Sequence, residues 1–210
     1  LPILGWSPKD DRQKMNLNEV IELFDLPQIL RHNARFDMDK LVSLNGQYLA
    51  ELSADQYRGL AIPALQKAGV CTDDFTSDYL HAAIDSTVGK FKQMSEIGDY
   101  AGFYFKKLED MEWDAEAAGK QLIPENHALV SALRAAFVAE ESFVAANIQA
   151  AFKSTAKALG VKVGALIHPL RLVCTGQSNG PSLYHLVEIL GKDRVLASID
   201  QALSRMKPND

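Results

Sequence analysis

The chain has 210 residues, 47% of them apolar, which is enough to bury a core in one helical domain or in two or three small ones. A net charge of −5 gives no whole-molecule basic field that would advertise nucleic acid. Two widely separated cysteines, Cys71 and Cys174, with no CxxC argue against a disulfide framework or a zinc site. No apolar run approaches the roughly 18 residues of a membrane span, and no basic segment precedes LPILGW, so the chain reads as cytoplasmic and membrane-free. Its abrupt apolar start reads as a cut from something longer.

Taken in order, the segment after the Pro/Asp turn SPKDDRQKMN holds a short helix LNEVIELFDL, capped by Asn16 or Asn18. Asp37 caps the next, whose face is Leu41, Leu44, Tyr48, Leu49 and Leu52. Ser53-x-x-Gln56 has the capping-box form and starts a third helix, which Pro63 breaks or kinks. Helical periodicity then runs from Asp73 to Phe91 through Phe75, Tyr79, Leu80, Ala83, Ile84 and Val88. After it come a short helix with aromatics at 100, 103, 104 and 105 and the acidic run Glu109 to Glu116.

Two long amphipathic helices follow, from about Glu125 to Ala139 and, with Ser142 as N-cap, from about Phe143 to Leu159; Gly160 suits the residue after the second. Gly160 to Gly191 supplies a helix near Val163 to Cys174 and another starting at Pro181 in its first position, and KDRVLASIDQALSRM makes the last. Alternating β-branched runs joined by hairpin turns are missing. The fold class is therefore all-α, a row of consecutive small helix bundles, with boundaries near Ser53 and Trp113 that give regions 1–52, 53–113 and 114–210.

The charge is unevenly spread. From Thr155 to Asp210 seven Lys/Arg face four acids, while Lys92 to Ser154 holds six basic residues against ten acidic ones. A polyanion meets a locally positive C-terminal face. Catalytic signatures are missing: the five histidines fall in separate segments without HExxH, paired aspartates sit in turns, and there is no GxxxxGK[ST] or GxGxxG. Gly160-x-x-x-Gly164 is explained as well by close helix packing. Residue types and spacing alone give a helical binding module with no catalytic or metal-ligating residues.

Two stretches carry a resemblance that goes further. Lys162-Val-Gly164-Ala-Leu166-Ile-His-Pro169-Leu170-Arg171-Leu-Val-Cys-Thr175-Gly176 and Pro181-Ser-Leu183-Tyr184-His-Leu-Val-Glu-Ile-Leu190-Gly191-Lys192-Asp193 resemble the end of bacterial-type glutamyl-tRNA synthetases. LGWSPKDDR and FDMDKLVSLNGQYL resemble an earlier segment of the same family, with Ser43 where that family has tryptophan. The resemblance covers essentially the whole chain and is weakest from Gly69 to Ala156.

What it implies is the tRNA-recognition part of a glutamate–tRNA ligase: stem-contact helices in 1–52 and two helical anticodon-binding domains in 53–113 and 114–210. The family's HIGH-like and KMSKS-like motifs, which bind ATP and activate glutamate with Mg2+, do not occur here, so no cofactor is expected in this chain and it is expected to be inactive alone. Its implied partners are glutamate tRNA and the N-terminal catalytic domain of the same enzyme, and it is expected to be a monomer. By motif position, Arg171 hydrogen-bonds an anticodon base, Gly180, Pro181, Leu183 and Tyr184 grip the anticodon loop at a helix start, and Lys90 reads the last anticodon base. Lys90 stands where the family often has arginine, a point charge in place of a planar fork. Lys40, Asn45 and Tyr48 match the stem-contact signature.

Other readings of the same residues stand beside these. Arg171 is also placed to pair with Glu188 on the surface, and Leu183, Tyr184 and Tyr48 suit core positions. His168 suits a solvated site, Trp113 and the aromatics at 100–105 suit inter-helix core, and Cys174 a small buried apolar group. A freestanding helical adaptor that binds RNA or protein is the alternative function.

Overall fold

The computed structural model describes residues 5–8, 10, 12–29 and 35–206. Among these there are eleven α-helices and no strand. Helices α1 (Leu17–Leu23) and α2 (Met38–Ala50) form the N-terminal region. Asn16 accepts from Glu19 N–H at 2.8 Å and Asp37 from Lys40 N–H at 3.0 Å, so both starts are fixed by side-chain acceptors for otherwise orphaned amides. Among the described residues here only Trp6, Pro8, Met15 and Leu49 are buried, while Leu17, Ile21, Leu26 and Met38 stand in solvent.

Helices α3 (Ala54–Lys67), α4 (Ser77–Asp85) and α5 (Ile97–Phe105) pack on one another. The capping box at α3 forms in full between Ser53 and Gln56. Pro63 does not break α3, which continues to Lys67. Pro63 and Gly59, whose carbonyl loses its partner to the proline, both lie on the exposed face where water replaces the bond. The long helix expected from Asp73 to Phe91 is shorter, Ser77–Asp85, capped by Thr76. Its end has a physical cause: the Thr87 hydroxyl turns back to Ile84 O at 2.6 Å and meets Tyr57 OH at 2.9 Å, and Gly89 takes φ +71°.

Helix α6 (Ala115–Gln121) leads into α7 (His127–Ala139), α8 (Ala145–Leu159), α9 (Gly164–Thr175), α10 (Leu183–Leu190) and α11 (Lys192–Arg205). α7 packs on α8, α9 and α11, and α10 on α8. Ser142 is not the N-cap of α8, which starts at Ala145. Phe143 is drawn out of the helix to pack edge-on against Phe137 at 5.3 Å, and Asn147 binds Ser142 O at 3.1 Å. Gly160 ends α8 at φ +68°, as its position after Leu159 demands. One buried cluster runs from Tyr57 through Phe137 and Phe152 to Met206, and α4 lies against α10, so the two helix groups share a core.

Candidate nucleic-acid interface

Helix α9 buries Leu166, Leu170, Val173 and Cys174, and this face sets where Arg171 emerges. Burial pushes the Cys174 thiol up to about 12, as expected of an inert packing group. The helix stops at Gly176, φ +77°, where a Cβ would lie 2.3 Å from Glu112 O. The Gly176 carbonyl accepts the Asp114 N–H at 2.8 Å, so the end of α9 is riveted to the acidic run. Thr175 Oγ1 lies 2.9 Å from Arg171 O and accepts the Gln177 N–H at 3.1 Å, tightening the exit from the helix.

The loop then folds back over α9. Arg171 Nη1 donates to Pro181 O at 2.8 Å, and a Cβ on Gly180 would sit 3.2 Å from that same nitrogen. Gly180 also holds φ +152°, which side chains rarely adopt, so the approach needs glycine twice over. Arg171 is half-buried, and desolvation draws its guanidinium below the ordinary value. It stays charged, since arginine does not deprotonate in proteins. Among the described residues Pro181 O is the sole hydrogen-bond acceptor of its five donors, and no carboxylate pairs with it. The Glu188 carboxylate instead lies 3.5 Å from His185.

Pro181 precedes the N-cap of α10 instead of occupying its first position. The first helical bond runs from Leu186 N–H to Ser182 O at 2.9 Å, and the proline's own carbonyl is held by Arg171. No side chain caps α10, which leaves first-turn amides pointing outward beside the Arg171 loop. Leu183, 4% exposed, is a core residue, and half-buried Tyr184 stands edge-on to Phe152 at 5.3 Å. Arg171, Gly180 and Pro181 are thus brought together, with the backbone of 183 and 184 next to them.

Lys90 lies elsewhere, exposed on the turn after α4, with its N–H bonded to Thr87 O at 3.0 Å. Asn45 on α2 donates to Lys92 O at 2.6 Å, and Gly46 packs on the same lysine, so α2 meets the chain just beyond Lys90. Tyr48 donates to Met15 O at 2.7 Å with Lys14 5.1 Å over its ring, while Lys40 is half-buried in the first turn of α2. Asn45 and Tyr48 therefore commit their polar groups inside the protein, and neither joins the Arg171 loop. Sequence reasoning missed the anchoring of Gly176 on Glu112 and Asp114; the Thr-Gly pair closing a helix was its signal. Among the described residues no group of three or more His, Cys, Asp or Glu is arranged to hold a metal.

The family described as "Anticodon binding domain" matches residues 48–203, the span that contains both the Lys90 turn and the Arg171 loop. The chain belongs to the anticodon binding domain family. It is 31% identical over its full length to a glutamate–tRNA ligase of Moorella thermoacetica, of which it spans 43%. To that of Geobacillus thermodenitrificans it is 34% identical, over 96% of this chain and 41% of the relative. A crystal structure of a glutamate tRNA ligase from Elizabethkingia meningosepticum superposes with a TM-score of 0.85 at 27% identity, over 98% of this chain and 40% of the other. This anticodon binding domain chain thus spans less than half the length of the ligases that it matches. Among its described residues, no helix is long and apolar enough to cross a membrane.

Proposed function

We propose that this chain recognises the anticodon of glutamate tRNA within a glutamate–tRNA ligase. The observation that carries the reading is Arg171, a half-buried guanidinium whose one protein acceptor is a backbone carbonyl, held beside the uncapped start of α10. Bases of an anticodon loop are read by splaying them out and hydrogen-bonding their edges. A fixed planar fork with spare donors suits the acceptor edge of a pyrimidine, and the amides at Leu183 and Tyr184 suit an adjoining base oxygen or phosphate. The contribution of Leu183 is its backbone, since its side chain is spent in the core.

Lys90 supplies a second point of recognition toward the last anticodon base, as a freely rotating ammonium without the directional fork of arginine. Lys40 and the surface of α2 face the stem side, with Asn45 and Tyr48 acting by fixing α2 in place. In this reading 1–52 is the stem-contact region and 53–113 and 114–210 are the two anticodon-binding domains. In this reading the ligase's ATP and Mg2+ chemistry belongs to its catalytic domain, and no catalytic step is assigned to the residues of this chain. The work of the chain is to choose the tRNA, in the cytoplasm and as a monomer.

Chemical footprinting of glutamate tRNA in the presence of the chain tests this. Protection is expected to concentrate in the anticodon loop and to disappear with Arg171→Ala. Protection spread evenly along the backbone, or unaffected by that substitution, would overturn it.

A further inference from the structure

Helix α5 ends at Phe105, and its last carbonyls have no partners within the helix. Arg194, near the start of α11 and on the other side of the shared core, reaches these carbonyls. Its Nη1 donates to Tyr104 O at 2.8 Å and its Nη2 to Phe103 O at 2.8 Å and Lys106 O at 2.7 Å. A cation at a helix C-terminus is also favoured by the helix dipole. Among the described residues Arg194 has no carboxylate partner, so its hydrogen bonds go to this helix end.

Tyr104 is the hub of the contact. Its carbonyl accepts from Arg194 and also from Tyr79 OH of α4 at 2.8 Å. Its phenol, fully buried, lies 3.1 Å from Ser86 Oγ, the first residue of the turn that leads to Lys90. Burial drives this phenol far above its usual range, and the Ser86 hydrogen bond and the Arg171 charge pull it part of the way back. One chain of contacts therefore runs from α11 through the end of α5 to the Lys90 turn.

We propose that Arg194 is a positioning residue: by clamping the end of α5 it holds the Lys90 turn in register with the Arg171 loop, and so sets discrimination at the anticodon base that Lys90 faces. This rests on the anticodon reading above. The chemistry calls for a guanidinium, because three carbonyls converge on it and a planar fork serves all three at once. A lysine reaches fewer of them, and an apolar residue leaves Phe103 O and Lys106 O without a partner and Tyr104 O with Tyr79 alone.

The test measures the affinity of the whole chain for glutamate tRNA and for a copy changed only at the last anticodon base. At a temperature where Arg194→Met remains folded, the ratio of the two affinities is expected to fall about tenfold, within the range that one base contact supplies. Lys90→Gln is then expected to add little further loss in the Arg194→Met background, while Arg171→Ala still adds its own, as residues acting through one another do. Arg194→Lys should recover part of the ratio. Where Arg194→Met does not fold, Tyr104→Phe, which removes only the Ser86 link, should lower the same ratio by a smaller factor.

A lowered melting temperature with the ratio unchanged, or an equal loss for every tRNA, would overturn the proposal and leave Arg194 as ordinary packing. A spin-label distance between Cys71, the exposed thiol, and Lys153→Cys on α8 provides an independent readout across the clamp. It should broaden in Arg194→Met, and an unchanged distribution would contradict the clamp. If the unaltered chain shows no anticodon preference at all, the anticodon reading itself has failed, and this distance still decides whether Arg194 fixes the geometry.

Discussion

Replacing Gly176 by alanine isolates the junction that holds the Arg171 helix. Two costs add at this position. Left-handed backbone with a Cβ costs roughly 1–2 kcal/mol, and Gly176 sits at φ +77°. The new Cβ would also lie 2.3 Å from Glu112 O. Ordinary contact then requires the 112–114 backbone to move by about 1 Å, enough to break a hydrogen bond worth about 1 kcal/mol. That bond is Asp114 N–H to Gly176 O, at 2.8 Å. The total is about 2–3 kcal/mol, which in a chain of this size lowers the melting temperature by roughly 4–12 °C. Gly160 has nearly the same φ, +68°, with nothing within 4 Å of its Cβ position. Gly160→Ala therefore carries only the backbone cost, a drop of about 2–8 °C. Thermal unfolding followed by circular dichroism at the helix band compares the two. Equal drops would refute the close-approach argument, and a Gly176→Ala protein as stable as the parent would refute both parts of it.

Three further outcomes are expected. Arg171→Ala should weaken binding of glutamate tRNA by about 1–3 kcal/mol and flatten its anticodon preference, measured by filter binding, whereas Lys162→Ala should weaken all RNAs alike. Thiol titration of the native chain at pH 8 should count Cys71 alone, with Cys174 appearing only in denaturant, because Cys174 is buried and its thiol is pushed up to about 12. Asp200 is held below the usual carboxylate range by hydrogen bonds from Arg134 at 2.5 and 2.8 Å. A depressed carboxyl pKa gives stability that is present above the unfolded value of about 4 and is lost as pH falls through the folded value. Asp200→Asn should accordingly flatten the fall in melting temperature below about pH 4, and only slightly, because the pair is solvent-screened.

Local chemistry was legible in the sequence wherever a side chain satisfies its own helix end. Asn16, Asp37 and the Ser53–Gln56 box mark starts, and Gly160 marks an end, because each acts within four residues of its position. The same reasoning failed where a distant partner decides. Periodicity continues from Asp73 to Phe91, yet the Thr87 hydroxyl, engaged with Tyr57 thirty residues earlier, stops α4 at Asp85. Phe143 looks helical until Phe137 claims its ring. Pro181 suits a first helical position, but its carbonyl is taken by Arg171, which shifts the start of α10 to Leu183.

The candidate site divides in the same way. Arg171 and the loop ending in Gly180-Pro181 are one contiguous motif, and the structure brings them into contact. Leu183 and Tyr184 belong to that motif too, but α10 turns their side chains toward the core and leaves the backbone beside the loop. Asn45 and Tyr48 match a signature whose polar groups are used to hold α2, through Lys92 and Met15. The clamp by Arg194 was illegible because its partners are carbonyls some ninety positions away, and no residue pattern encodes which carbonyl an arginine reaches.

The central claim is that this chain reads an anticodon, and it is tested most directly by comparing its affinity for glutamate tRNA with that for a copy altered only in the anticodon. A clear preference for the unaltered tRNA, persisting as salt is raised and both affinities weaken, is the result predicted. Equal affinities for the two tRNAs at every salt concentration would contradict it.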